Sequence, residues 1–486
     1  MNEKSKGKGQ MPLHQQLSKG QRRWILFAVA VGTFMGPLDG SVVNIALPSI
    51  SAFYQVPLSS VEWVVMSYLL IISSLLLTYG RMGDLYGHKR IYIVGFIVFA
   101  VGSLICGLSP NIGALITFRA VQAIGAGMMM AMGPAIVTDI TPPKERGKSL
   151  GIIAISVSIA LTAGPALGGF LTHAFGWQSV FFINIPIAII GALLAYKVIP
   201  SLRDHEAQPF DVMGSLLLFL ALLCILFPLS YSEKVGWNNP YIIGLLILGI
   251  VLMVVFLFYE SRIKHPMLDL SLFKNRLYSM GNLSAMISYM AMYSVILIMP
   301  FYLQDLLGMS PTKAGMMLMP MPLVMLFVAP AAGSISDRVD TRYVSSLGMA
   351  VYALGLWMLS TLDVNSTNSI IMLSLGVIGL GSGMFQTPNN SAVLGTAPYN
   401  RRGIASSMLA IMRNIGMVLG VAISGAVFSS RLNYLSETLK DQGLTATAVK
   451  SQAFTGALHA TFIVGMALAL IGVFTSLIRG PLNDKA

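Results

Sequence analysis

At 486 residues, 55% hydrophobic and only 10% charged, with a mean hydropathy of +0.75, the chain has too little charge to cover a water-facing surface, since soluble domains are about a quarter charged. A large soluble α-protein is therefore excluded. The formal charge of +12 does not point to nucleic acid, because the cations sit in short connections between apolar runs.

The N-terminus is polar and basic, and no cleavage signal follows the first apolar run, which reads as a retained span. Runs of about 20 apolar residues can cross the hydrocarbon core as helices. Fourteen are predicted, at 24–49, 60–80, 91–108, 112–138, 150–171, 179–199, 212–231, 241–259, 279–303, 313–333, 343–360, 369–393, 403–429 and 455–477. The two cysteines, Cys106 and Cys224, stand alone in apolar runs with no metal-ligand spacing and read as small buried residues.

Lysine and arginine are enriched in cytoplasmic loops. Alternate connections and both ends carry 24 of them and the opposite connections five, with Arg119 and Arg413 inside spans. Both termini are therefore expected in the cytoplasm.

The chain also repeats itself. Pro142-x-x-x-Arg146-Gly147 recurs 256 residues on as Pro398-x-x-x-Arg402-Gly403, and at the same offset Gly125, Gly164 and Gly169 match Gly381, Gly420 and Gly425. The expected fold is all-α and membrane-embedded: residues 1–23 a cytoplasmic tail, 24–200 one six-helix bundle, 201–276 an inserted helical hairpin (spans 7 and 8) with its cytoplasmic loop, 277–480 a second six-helix bundle, and 481–486 a tail. Parallel repeats of this kind rock around a central site in secondary transporters.

Several motifs carry chemistry. After span 2 the chain reads Gly80-Arg-Met-Gly-Asp84-Leu-Tyr-Gly87-His-Lys89-Arg90, and Gly333-x-x-x-Asp337 is a weaker copy. Glycines allow a tight turn, and an Asp beside cations can latch a neighbouring helix end. Span 4 holds Arg119-Ala-Val-Gln122-Ala-Ile-Gly125, and a membrane-buried Arg needs a partner or a wet cavity. Span 5 holds Gly164-Pro165-Ala-Leu-Gly168-Gly169, a kink flanked by small residues that let a partner helix approach. Further stretches are Leu38-Asp39 through Leu47-Pro48, Trp177 through Asn184-Ile-Pro186, and His265-Pro266 through Phe273.

Together these motifs resemble the major facilitator superfamily, and within it the fourteen-span drug:proton antiporters, which include multidrug, antiseptic and lincomycin efflux pumps. The resemblance runs nearly end to end, with Ala123 and Ala160 standing where the family's motifs have glycine. It implies a proton-coupled transporter, not an enzyme, in the bacterial inner membrane. A proton gradient would replace any cofactor or metal, and the partners would be lipid and a small molecule, with no nucleic acid and a monomeric state. It assigns proton coupling to Asp39 and Arg119, a gating latch to Gly80, Asp84, Gly87, Arg90 and Asp337, and an antiporter-type kink to Gly164, Pro165, Gly168 and Gly169.

Asp39 is the one acid that falls well inside a predicted span. It either titrates or caps a helix broken near Pro37, and Arg119 either modulates it or bonds neighbouring carbonyls. The neutral candidates for a substrate cavity are Asn44, Tyr68, Gln122, Gln304, Gln386, Asn390 and Asn414, which suit an uncharged or weakly charged aromatic molecule. Gln386 and Asn390 could equally bond helix to helix, and the methionines of span 10 could be plain core. Two directions of traffic follow: multidrug-type efflux, or uptake of a nutrient such as riboflavin. A non-transporting sensor is disfavoured by the intact motif set. The Lys148-Ser149 pair lacks the glycine of a phosphate-binding loop, which excludes ATP hydrolysis.

Overall fold

The computed structural model describes residues 17–142, 145–200, 211–235, 239–263, 270–336, 338–397, 402–440 and 444–480. Asp337 lies outside these, and the side chain of Asp84 is not described, so the expected latch is not placed.

Lipid offers backbone groups no partner, so each span satisfies its own as a helix. In chain order the helices are α1 (Lys19–Tyr54), α2 (Leu58–Val61), α3 (Trp63–Tyr86), α4 (His88–Gly107), α5 (Ile112–Ile140), α6 (Arg146–Phe175), α7 (Ser179–Phe182), α8 (Asn184–Val198), α9 (Val212–Val235) and α10 (Pro240–Glu260). A 3-10 turn (Leu270–Lys274) leads to α11 (Arg276–Phe301), a π-turn (Tyr302–Leu306), α12 (Pro311–Leu318), α13 (Pro320–Ser336), α14 (Thr341–Leu359), α15 (Asn368–Gly395), α16 (Arg402–Lys440) and α17 (Ala446–Ile478).

Local chemistry sets the ends. Ser18 and Gln21 form a reciprocal capping box that starts α1, and the Asn111 side chain accepts from the Ala114 N–H at 2.8 Å to start α5. Gly87, at φ 94°, is both the last cap of α3 and the first of α4. A one-residue reversal with positive φ is a place for glycine.

The repeat reappears as packing. A Cβ on Gly125 of α5 would land on the Phe99 backbone and the Gly95 carbonyl of α4. In the same way, a Cβ on Gly381 of α15 would land on the Tyr352 backbone and the Gly348 carbonyl of α14. Both crossings are closed backbone to backbone, the contact that stabilises helix pairs where lipid removes any hydrophobic drive between them.

The count of fourteen spans is corrected. Twelve helices among the described residues are long and apolar enough to cross a membrane. The expected spans at 212–231 and 343–360 fall short. Of α9, the stretch Val212–Ile225 counts among the described residues as a shorter apolar helix. Helix α14 is 19 residues long, and its first two turns hold Thr341, Arg342, Ser345 and Ser346. In α14 these polar side chains dilute a run that apolar pattern alone counts as a span. The arrangement of two six-helix bundles with a two-span hairpin falls with that count; of the hairpin, α10 alone qualifies, and α9 packs beside it.

Replacing Gly125 by leucine is expected to destabilise the protein by about 1–3 kcal/mol or more, the usual cost of overpacking. Gly244→Leu, where an added Cβ meets nothing, is expected to leave the melting temperature of the detergent-purified protein unchanged.

Candidate functional site

Four helices converge on one carboxylate. Asp39 sits midway along α1 and is fully buried. Its Oδ2 accepts from Arg119 Nη1 at 2.5 Å. Its Oδ1 accepts from Gln122 Nε2 at 2.9 Å and from Asn184 Nδ2 at 2.7 Å. Arg119 and Gln122 lie one turn apart on α5, and Asn184 opens α8. The fourth helix is α3: Arg119 Nε donates to the Val64 carbonyl at 3.1 Å, and the guanidinium lies 4.1 Å over the Tyr68 ring. Gln122 closes the ring, its Oε1 accepting from Arg119 Nη1 at 2.6 Å and its Nε2 donating to Ser103 Oγ at 2.8 Å.

Burying a lone charge costs several kcal/mol, and a pair survives only when hydrogen bonds satisfy the remaining lone pairs and protons. Asp39 meets that condition. A carboxylate accepts and cannot donate, and these three bonds occupy three of its roughly four lone-pair sites. The arrangement therefore ties α1 to α5 and α8 through one carboxylate.

Asp39, Arg119, Gln122 and Tyr68 thus come together as expected. Asn184 and Ser103 complete the cluster and were not singled out for roles. An amide in an apolar run was the available signal for Asn184, and a serine gives almost none. Asp39 is not the sole buried acid: Glu62 and Glu260 are each exposed by no more than 2%.

The remaining neutral candidates do not form one site. Gln386 on α15 accepts from the Tyr289 hydroxyl at 3.1 Å and donates to Ser382 Oγ at 2.9 Å, with Arg413 6.0 Å from the Tyr289 ring. Gln304, in the π-turn, instead donates to the Ile45 carbonyl of α1 at 2.9 Å. Asn44 is buried, Asn390 half-buried, and Asn414 is buried with its Nδ2 unpartnered among the described residues.

Pro165, inside α6, lies on a seam between the first and last parts of the chain. A Cβ on Gly169 would meet the Pro311 carbonyl of α12, and one on Gly315 would meet the Pro165 carbonyl. Thr312 Oγ1 also donates to the Gly169 carbonyl at 3.3 Å. On the other side of α6, Gly164 and Gly168 face Ser41 and Val42 of α1. These joins, with Gln304 on Ile45, all lie toward the helix ends marked by Tyr54 and Phe175.

At the opposite ends, α17 closes on a second buried cation. Arg479 is 1% exposed, donating to Asn389 Oδ1 at 2.9 Å and Ser345 Oγ at 3.2 Å. Asn389 Nδ2 in turn donates to the Gly281 carbonyl at 3.0 Å. Sequence pattern counts Arg479 only among the cytoplasmic-side cations and gives it no buried partner. Burial lowers its pKa to about 10. Among the described residues, no group of three or more His, Cys, Asp or Glu could hold a metal.

A secondary transporter is the class that this architecture and this buried ion pair define. The family model of the Major Facilitator Superfamily matches residues 29–421 and again 281–485. The chain belongs to that superfamily and is a multi-pass membrane transporter of small solutes. It is 36% identical over 419 residues to the riboflavin transporter RibZ of Clostridioides difficile, covering 85% of this chain and 90% of that one. It is 31% identical over 416 residues to the multidrug resistance protein Stp of Mycobacterium tuberculosis, covering 85% and 77%. Among solved structures, an inward-facing bacterial homolog of the human lysosomal transporter Spinster matches with a TM-score of 0.69 at 16% identity, covering 95% and 99%. That likeness concerns the fold.

Arg119→Met leaves Asp39 buried and unpaired, a loss expected to cost about 3–5 kcal/mol. Adding Asp39→Asn to that variant is expected to restore much of the melting temperature, because the orphaned charge is gone. A double variant as unstable as the single one would show that Arg119 acts through its contacts with Val64 and Tyr68.

Proposed function

We propose that the protein is a proton-coupled transporter that takes up riboflavin or a closely similar neutral aromatic heterocycle. The observation that carries this reading is the 36% identity to a riboflavin transporter across nearly the whole of both chains. The interior agrees in chemistry. Outside the Asp39 cluster the candidate polar groups are amides, with the Tyr289 hydroxyl on one of them, Gln386, and these can bond carbonyls and ring nitrogens without demanding a charge on the ligand.

In this reading Asp39 carries the transported proton, and Arg119 and Gln122 set when it can. The parts 24–200 and 277–480 rock against each other in the inner membrane with both termini cytoplasmic. The seam of Gly169, Gly315 and Gln304 then closes the outer side, and the site is open to the cytoplasm. Outward multidrug transport by a drug:proton antiporter is the second reading. It is favoured by the 31% identity to Stp and to the tetracenomycin C resistance and export protein of Streptomyces glaucescens.

In a strain that cannot make riboflavin, expression of the chain is expected to restore growth at low external riboflavin and to raise accumulation of labelled vitamin. Unchanged accumulation together with raised drug resistance would replace uptake by efflux. Asp39→Asn is expected to abolish the response of transport to an imposed pH gradient while substrate binding persists, whereas gradient-driven transport by that variant would remove Asp39 from the coupling role. Gln386→Ala should raise KM roughly fivefold, the loss of about one hydrogen bond. Gly315→Leu should prop the outer seam open, read as cysteine labelling of the Tyr54 end from outside.

A further inference from the structure

We propose that the outer face of α4 and α8 holds one anionic phospholipid, its acyl chain in a groove between the helices and its phosphate on Lys89. The inference requires only that the chain lies in a bilayer and is independent of the substrate reading.

The groove is a cavity of about 510 Å³ whose walls are Ile93, Ile97, Val101 and Leu104 of α4 and Ile189 and Leu193 of α8. From Ile93 to Leu104 it runs eleven residues, or about 16 Å at the helical rise. One leaflet of a bilayer offers hydrocarbon about 15 Å deep, half of a core of about 30 Å. The length suits a single acyl chain, and the side walls, Ile97 at 54% and Leu193 at 56% exposed, face outward.

An apolar groove alone would hold any lipid. The mouth of this one is charged. Lys89 Nζ donates to the Tyr196 carbonyl at 2.7 Å and lies 5.2 Å from the centre of the Tyr196 ring, which fixes the ammonium over the groove's end. That bond uses one of three ammonium donors, leaving two for phosphate oxygens. Arg90 and Lys197, both exposed, stand beside it at the same helix ends. Basic groups between spans at a membrane face select anionic headgroups, so the cations make the groove selective for one lipid class.

The floor gives the occupant a place in the fold. Phe96 lines the groove and stands edge-on to Tyr92, with ring centres 5.0 Å apart. The Tyr92 hydroxyl donates to the Ala28 and Val29 carbonyls of α1 at 3.2 and 3.0 Å. A seated acyl chain would therefore lie one ring away from the helix that bears Asp39.

Native mass spectrometry of the full purified chain, with phosphatidylglycerol or phosphatidylcholine added in turn, tests this. The wild type is expected to retain one phosphatidylglycerol in preference to phosphatidylcholine, by roughly fivefold for each lysine engaged. Lys89→Gln with Lys197→Ala should erase the preference and leave phosphatidylcholine binding as it was. Lys313→Ala, exposed at the far helix ends, should change neither. Ala192→Trp, which fills the groove, should remove one bound lipid of either kind. Equal retention of the two lipids by the wild type, or a preference that survives loss of both lysines, would overturn the proposal. So would a groove-filling variant that keeps its lipid but turns a dimer into a monomer, which would make the groove a contact between copies.

Discussion

One carboxylate, buried midway along α1, sets the terms for the first part of the molecule. Asp39 could not stay in the membrane interior alone, since an unpaired charge there is among the costliest groups a span can carry. Its three hydrogen bonds come from α5 and α8, and its ion-pair partner is itself held by the Val64 carbonyl of α3. Helices that lipid gives no hydrophobic reason to associate are thereby obliged to meet at one point. The glycine crossing of α4 on α5 can then close around that point because backbone meets backbone.

The last part of the chain repeats the packing without repeating the charge. At the offset of 256 residues, Arg119 and Gln122 correspond to Leu375 and Ile378, both fully buried. The glycine crossings at Gly125 and Gly381 remain in register. Scaffold and electrostatics have thus separated: two related stretches of the chain share their glycine crossings, while the buried acid–arginine pair stands in the first. The other holds Gln386 with Tyr289, a neutral pair suited to recognition more than to proton traffic.

Much of this was legible in the sequence because membrane interiors make charge conspicuous. Asp39 and Arg119 stand out in apolar runs, and the spacing of Arg119 to Gln122 places both on one helix face. Asn184 stands within a motif but carries no visible role in the sequence, since an amide in a span advertises less than a charge does. Gln304 was expected with the cavity residues, but it lies on the seam, bonded to a backbone carbonyl that no side-chain pattern reveals. Arg479 reads from sequence only as a cytoplasmic-side cation just beyond a span; its partners, 90 and 134 residues earlier, could not be inferred from local pattern. At α14 the span count failed because polar residues enter its first two turns, which a reading of apolar runs extends across.

The burial of Arg479 bears on how the protein is made. Asn389 and Ser345 precede it by 90 and 134 residues, so both leave the ribosome well before their partner exists. At about 5–20 residues per second, α14 and α15 wait in the bilayer for on the order of 5–30 s with those polar groups unmet. During that interval the nascent chain depends on water at the membrane surface, on lipid headgroups or on insertion factors to satisfy them. Arrival of the last helical turn replaces these temporary partners, and the late part of the molecule becomes a sealed structure only then.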